Sequence, residues 1–248
     1  MVSKSAIKVV FFDIGGVCVH SPMIAISEYE RALSLPTGYI NFAISAGAPT
    51  GAWQRLERNE IPLDMAFFAA FARDIRSPTA WRRFHDAKSL PVTAAAPPLV
   101  DGEALFWRMM AKGQTRDTVV MNAVRRLRKA GVKVGALTND YRYPDEHPYL
   151  EGKDELKREF DVWVSSAESG MRKPEEGVYR EAMRLAGVED GGQVAFLDDI
   201  GVNLKAAAGL GWKTVKVSIG KSREAVEELE RVVGLKLLDE EEGTKSRL

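Results

Sequence analysis

The chain has 248 residues, of which 45% are hydrophobic, and it carries 35 basic against 35 acidic residues. This size supports a full hydrophobic core, either as one large domain or as a domain with an insertion. The balanced charge provides no net field that would attract nucleic acid or an anionic membrane surface. The single cysteine, Cys18, cannot form an internal disulfide, and no apolar run approaches the ~20 residues of a membrane span. We therefore expect a cytoplasmic protein whose partners include neither nucleic acid nor a membrane.

Short apolar runs alternate with helix-forming segments over most of the chain. The runs lie at residues 7–12, 132–137, 160–164, 194–197 and 214–217, and the helical patterns lie at 117–130, 175–185, 204–208 and 222–233. Continuous apolar runs are typical of strands buried on both faces, and their alternation with helices indicates βαβ units. The predicted fold class is therefore α/β, with a doubly wound parallel sheet.

Residues 20–112 interrupt this alternation. The segment is rich in helix-forming and aromatic residues and contains no strong apolar strand run. We interpret it as a helical insertion, with the aromatic side chains forming its own core rather than a ligand cage. The same aromatic content is compatible with the face of a homodimer, and the sequence leaves the oligomeric state open.

Polar residues follow several of the predicted strands, and one further lysine lies in a loop that leads into a helix. In open parallel sheets, ligands bind beyond the carboxyl ends of the strands, so these residues are expected to share one site. Each alone has an ordinary reading as a turn or helix-capping residue, and their joint occurrence favours the site. The residues are Asp13, Thr138, Asn139, Lys173, Asp198 and Asp199.

Three carboxylates at one sheet edge would repel one another unless a cation lay among them. Magnesium prefers oxygen ligands, including carboxylates, backbone carbonyls and substrate phosphates. A carboxylate such as Asp13 can attack phosphorus to form an aspartyl-phosphate, which divides one difficult hydrolysis into two easier steps. Thr138 and Lys173 could neutralise charge on the phosphoryl oxygens. The pattern therefore predicts hydrolysis of a phosphorylated small molecule with Mg²⁺ as cofactor.

Four segments resemble the motifs of the haloacid dehalogenase-like (HAD) superfamily. They are FFDIGGV at 11–17, LTN at 137–139, GMRKPE at 170–175 with Tyr179, and FLDDIGVN at 196–203. Within that superfamily, the last segment and LERNEI at 56–61 resemble the N-terminal phosphatase domain of soluble epoxide hydrolases and its stand-alone relatives. The resemblance implies a Rossmann-like core at residues 1–19 and 113–248. It also implies a helical cap at 20–112 that opens and closes over the site.

The resemblance also implies roles for the residues that face the substrate. Asp13 would be the nucleophile, with Lys173 as its catalytic partner. Thr138, Asn139 and Lys173 would bind the phosphoryl group of the substrate. The reaction expected of this group is phosphatase hydrolysis of a small organic phosphate.

For the metal, the resemblance implies that Mg²⁺ is bound by Asp13, the backbone carbonyl of Gly15, Asp198 and Asp199. Asn203 would support the loop that carries the two consecutive aspartates. These oxygen donors match the preference of magnesium.

One position departs from the family pattern. Two residues after the nucleophile, the family's phosphatases usually carry a second aspartate that protonates the leaving group, and here the residue is Gly15. Such acid–base help contributes about 10²–10⁴-fold, so the sequence predicts a slow phosphatase or one that relies on another group. His20 is the nearest titratable residue along the chain.

Two other functions remain open at this stage. Gly15 makes a non-catalytic, HAD-fold binding protein plausible. A metal-free dehalogenase that uses Asp13 to attack carbon is a further alternative. The pair Asp198 and Asp199 disfavours the dehalogenase, because uncompensated carboxylates would repel an anionic haloacid.

Overall fold

A computed structural model describes residues 6–92 and 94–239. The two ends of the predicted core, residues 1–5 and 240–248, lie outside the described residues. The centre of the fold is a five-stranded parallel sheet with strand order β3-β2-β1-β4-β5. The strands are β1 (Val9–Phe12), β2 (Lys133–Thr138), β3 (Val162–Ser165), β4 (Val194–Asp198) and β5 (Lys213–Lys216). Each predicted strand corresponds to one of these, and the predicted α/β class is confirmed.

The strand order places a topological switch point beside β1. The chain runs outward from β1 through β2 to β3, and then returns to place β4 and β5 on the other side of β1. Phe12, the last residue of β1, lies between Ala136 of β2 and Leu197 of β4 in register. Ligands of open parallel sheets bind in the crevice that such a reversal creates. The residues that follow Phe12 and Leu197 therefore meet at that crevice.

Helices cover both faces of the sheet. One face is covered by α7 (Thr118–Lys129) and α12 (Ser222–Val233), and the other by α10 (Glu176–Ala186) and α11 (Gly201–Gly209). Within β1, Val10 and Phe12 pack in the first hydrophobic cluster, and Val9 and Phe11 pack in the second. Alternate side chains of a strand point to opposite faces, so a strand covered on both sides must be apolar throughout. This explains the unbroken apolar run before Asp13.

The insertion between β1 and α7 consists of helices packed around a separate hydrophobic cluster. They are α1 (Pro22–Ala32), α2 (Tyr39–Ala46), α3 (Ala52–Glu57), α4 (Met65–Ile75), α5 (Pro78–Lys88) and α6 (Gly102–Lys112). Phe67, Phe71 and Phe106 are buried in this cluster, with the Phe67 and Phe106 rings 5.5 Å apart. The aromatic residues therefore form the core of the insertion. Its limits at residues 20 and 112 stay a prediction.

Two α-helices of the α/β core are not predicted from the sequence. The segment after Asn139 contains α8 (Tyr149–Lys157), and the short α9 (Ser166–Ser169) follows β3. Leu156 is the buried residue of α8, so the helix has no apolar stripe that sequence periodicity could reveal. Nowhere in residues 6–92 and 94–239 is a helix both long enough and apolar enough to cross a membrane.

Candidate active site

Three polar side chains end neighbouring strands at the same edge of the sheet. Asp13 follows β1, and its backbone N–H donates to the Leu197 carbonyl of β4 at 2.8 Å. Thr138 ends β2 and Asp198 ends β4. All three side chains are buried. The structure thus brings together residues that are separated by up to 185 positions, because parallel strands in register end at one edge.

Lys173 lies between two of these carboxylates. Its ammonium Nζ is 2.8 Å from Asp13 Oδ1 and 2.8 Å from Asp198 Oδ2. The lysine is only 1% exposed, although it belongs to a loop between α9 and α10. A buried ammonium is stable only where its charge and N–H groups are satisfied, and the two carboxylates provide this. The structure therefore places Lys173 against the predicted nucleophile.

Asn203 holds the carboxylate of Asp198. Its Nδ2 donates to both oxygens of Asp198, at 3.2 and 3.1 Å, and the Ile200 N–H donates to Asp198 Oδ1 at 2.7 Å. The Tyr179 hydroxyl in turn donates to the Asn203 carbonyl at 3.0 Å. These bonds fix the Asp198 carboxylate in one orientation. Asn203 thus lies where the predicted supporting role requires.

Asp199 completes a cluster of three carboxylates. One oxygen atom from each of Asp13, Asp198 and Asp199 lies within 4.8 Å of the others. The Ser21 hydroxyl hydrogen-bonds to Asp199, which offsets a small part of the rise in the pKa of that carboxyl caused by burial and by Asp198. The other oxygen, Oδ1, is buried and has no hydrogen-bond partner within the described part of the chain. A buried carboxylate oxygen without a hydrogen-bond partner, on a residue that clusters with two further carboxylates, fits a metal ligand.

Electrostatics show that the cluster carries more negative charge than Lys173 neutralises. The pKa of Asp13 is raised to about 8, because burial, together with the neighbouring Asp198 and Asp199, outweighs the lowering by Lys173. Burial and Asp198 raise the pKa of Asp199 to about 6. Burial lowers the pKa of Lys173, but Asp13 and Asp198 outweigh it and the net pKa is raised. A divalent cation would remove this excess charge, and the oxygen donors present suit magnesium.

Thr138 and Asn139 serve different purposes. The Thr138 hydroxyl makes a long 3.3 Å hydrogen bond to the Asn139 carbonyl, a weak contact that a phosphoryl oxygen could replace. Asn139 is predicted from the sequence to contact the substrate. Its Oδ1 instead accepts from the Lys173 N–H at 2.7 Å, and its Nδ2 donates to the Lys173 carbonyl at 3.1 Å. A carboxamide matches the donor and acceptor of a peptide backbone, so Asn139 holds the segment that carries Lys173.

The turn after Asp13 contains two glycines with different surroundings. A side chain at Gly15 would meet only ordinary van der Waals contact with Pro22 Cδ, at 3.7 Å from its Cβ. Gly16 has a positive φ of 83°, and a Cβ there would overlap the Asp199 carboxylate. His20 is exposed at the end of this turn. A clash at the Cβ position therefore does not explain the absence of the family aspartate at position 15.

Three further residues contribute to the site and are not predicted from the sequence. Ser21 caps α1 and contacts Asp199. Serine is a preferred helix N-cap residue, so the cap could have been predicted from the sequence. Arg172 forms an ion pair with Glu57 of α3, with 2.6 Å between Nε and Oε2. Since these two residues are 115 positions apart, no local pattern reveals the pair.

Comparison with known proteins identifies the family. A family model for haloacid dehalogenase-like hydrolases matches residues 7–211. The chain is 30% identical over 231 residues to acyl-CoA dehydrogenase family member 10 of Mus musculus, with 93% of this chain and 19% of that protein covered. It is 28% identical over 241 residues to bifunctional epoxide hydrolase 2 of Sus scrofa, with 94% and 40% covered. The chain thus spans less than half the length of either relative.

A solved structure has a similar fold. It is a HAD family enzyme of Bacteroides thetaiotaomicron in complex with magnesium and inorganic phosphate, and it is 20% identical with a TM-score of 0.50. The match covers 87% of this chain and 96% of that one, and at this identity it shows the fold alone. The superfamily resemblance and the likeness to epoxide hydrolases are therefore confirmed. Because the family model spans most of its length, the chain belongs to the haloacid dehalogenase-like hydrolases.

Proposed function

We propose that the protein is a magnesium-dependent phosphatase of small organic phosphates, with Asp13 as the nucleophile. The observation that carries this proposal is the cluster at the sheet edge. One Asp13 oxygen contacts the Lys173 ammonium at 2.8 Å, and two further carboxylates lie within metal-binding distance. A haloacid-type dehalogenase reaction would gain nothing from the excess negative charge of Asp198 and Asp199, whereas a cation with a phosphate ligand would balance it.

Magnesium would be held by Asp13, the Gly15 carbonyl, Asp198 and Asp199, where it would neutralise phosphoryl charge and favour the ionised form of Asp13. In the first step, an Asp13 oxygen forms a bond to phosphorus while the bond from phosphorus to the leaving oxygen breaks. Water then attacks the aspartyl-phosphate, and inorganic phosphate and the free Asp13 carboxylate result. Lys173 orients Asp13 and neutralises charge, and the Thr138 hydroxyl donates to a phosphoryl oxygen.

The leaving group decides how fast this reaction runs. Without a carboxyl at position 15, the departing oxygen lacks the proton donor that the family's phosphatases usually provide. The cost is greatest for alkyl phosphates, whose leaving alkoxides are strongly basic, and smallest for aryl phosphates. We therefore propose that turnover is slow and favours substrates with good leaving groups. We also propose that residues 20–112 act as the cap over the site and that the protein works in the cytoplasm on a soluble small molecule.

The test is magnesium-dependent phosphate release from a panel of alkyl and aryl phosphates. Asp13→Asn keeps the shape of the side chain but removes the nucleophile, and it should lower kcat by about 10³-fold or more. Asp154→Asn, an exposed aspartate on α8, is the matched control and should retain activity. Chelation of magnesium should abolish turnover. Halide release that survives chelation would identify a dehalogenase, and no turnover of any compound would favour the binding-protein alternative.

A further inference from the structure

Two ion pairs join the helical insertion to the segment that carries Lys173. Glu57 Oε2 lies 2.6 Å from Arg172 Nε. Arg58 contacts Glu175 Oε1 through Nη2 at 2.7 Å and through Nε at 3.0 Å. Glu57 and Arg58, at the end of α3, thus form ion pairs with Arg172 and Glu175. These two partners lie on either side of Lys173 in the sequence.

The Glu57–Arg172 pair is more sheltered than an ordinary surface ion pair, with side chains that are 6% and 16% exposed. In the second pair the Arg58 side chain is 14% exposed and that of Glu175 is 39% exposed. The Trp53 Nε1–H donates to Glu57 Oε1 at 2.8 Å, so both oxygens of that carboxylate are bonded. The removal of one member of a buried pair leaves an uncompensated charge, which is strongly unfavourable. The α3 side of the contact therefore has little freedom to move while it is docked.

The segment on the other side is held at several backbone atoms. The Arg172 N–H donates to Glu175 Oε2 at 3.2 Å, and Asn139 bonds both the N–H and the carbonyl of Lys173. The segment around Lys173 is thus held by Asn139 at the sheet edge and by Glu57 and Arg58 at the end of α3. The Lys173 ammonium must reach Asp13 and Asp198 at the same time, so a small displacement of this backbone would break one contact or both.

We propose that Glu57 and Arg58 are positioning residues, which place the Lys173 ammonium against Asp13 only while α3 is docked on residues 172–175. This proposal rests on the proposed function for its kinetic consequence. A misplacement of about 1 Å in a catalytic group can cost about 10²-fold in rate. Loss of the contact should therefore lower kcat about 10–100-fold, while KM changes less than threefold.

The test exchanges the charges of the more accessible pair. Arg58→Glu and Glu175→Arg each place like charges together, and the double variant restores an opposite pair in reverse order. We expect each single variant to lower kcat, and the double variant to recover at least half of that loss on a logarithmic scale. The control is Arg55→Glu on the same helix, because Arg55 is 46% exposed and its partner Glu60 lies 3.7 Å away. It should behave as the wild type.

A second measurement does not depend on turnover. Backbone hydrogen exchange of residues 170–175, measured by mass spectrometry, should be faster in each single variant and return towards wild type in the double variant. Wild-type exchange and kcat in both single variants would overturn the proposal, as would a double variant no better than the single ones. If the wild type releases no phosphate from any substrate, the proposed function fails, and the exchange data alone decide whether α3 positions this segment.

Discussion

Gly15 lies two residues beyond the proposed nucleophile, at a position where a Cβ would meet no close contact. The neighbour that a Cβ would meet there is Pro22 Cδ at 3.7 Å, and Gly16, not Gly15, has the left-handed φ of 83°. Pro22 begins α1, so a Cβ at position 15 would contact the first residue of that helix. A clash at the Cβ position therefore does not explain the missing acid.

Gly15→Asp should accelerate hydrolysis of alkyl phosphates. A carboxyl at this position could protonate the leaving oxygen and later activate water, which contributes about 10²–10⁴-fold. We expect kcat for alkyl phosphates to rise by about 10²-fold, with a smaller gain for aryl phosphates that leave without a proton. Steady-state phosphate release measures both. The control is Gly15→Asn, which has the same size but no acid, and an equal gain in the two variants would contradict the prediction.

At the scale of elements, the turn between β1 and α1 depends on close contact with the loop after β4. Gly16→Ala would place a Cβ in the Asp199 carboxylate, in addition to the strain of a positive φ. Gly38→Ala is the matched control, because Gly38 has a φ of 86° and no atom within 4 Å of its Cβ position. Each variant should lose about 1–2 kcal/mol of stability from the backbone strain.

Only Gly16→Ala should also weaken magnesium binding, because it displaces Asp199. We expect a loss of about tenfold or more in Mg²⁺ affinity for this variant, measured by calorimetric titration, with unchanged affinity for Gly38→Ala. Changes to the residues that orient a metal ligand typically cost about 10–100-fold in metal affinity. Equal affinities in the two alanine variants would show that Asp199 does not bind the metal.

The elements differ in how well the sequence predicts them. Strands β1, β2 and β4 were predictable because they are buried on both faces, and the polar residues at the carboxyl ends of β1 and β4 then located Asp13 and Asp198. Helix α8 was not predictable, because its single buried residue, Leu156, produces no hydrophobic periodicity in the sequence. The contact of Glu57 with Arg172 depends on how the insertion docks on the core, which no local pattern encodes. The sequence therefore reveals the reacting groups, and the structure adds what holds them.

For the whole molecule, the balanced total charge hides a local imbalance. The chain carries 35 basic and 35 acidic residues, yet three carboxylates converge around one lysine at the sheet edge. Bringing these carboxylates together costs free energy on folding, because they are separated and solvated in the unfolded chain. The site thus makes stability depend on pH and on the metal.

The sign of this dependence follows from the pKa values. Burial raises the pKa of Asp13 to about 8 and that of Asp199 to about 6, from an ordinary value of 3.8. Between pH 4 and 8, the folded protein without metal therefore binds protons that the unfolded chain has released. The free energy of unfolding falls as the pH rises through this window, since stability rises with pH only where the unfolded state holds more protons.

Magnesium should reverse this loss, because it binds the ionised carboxylates of the folded state only. At a concentration of 100 times its Kd, a ligand stabilises the folded state by about 2.7 kcal/mol, which corresponds to about 5–10 °C in Tm at this size. We expect the rise in Tm caused by Mg²⁺, relative to a chelator, to be small at pH 5 and to approach this value at pH 8. Calorimetry at four pH values measures it. In Asp199→Asn the pH dependence should shrink, and an equal Mg²⁺ effect at pH 5 and pH 8 would contradict the assignment, since it would mean that the metal does not compete with protons for these carboxylates.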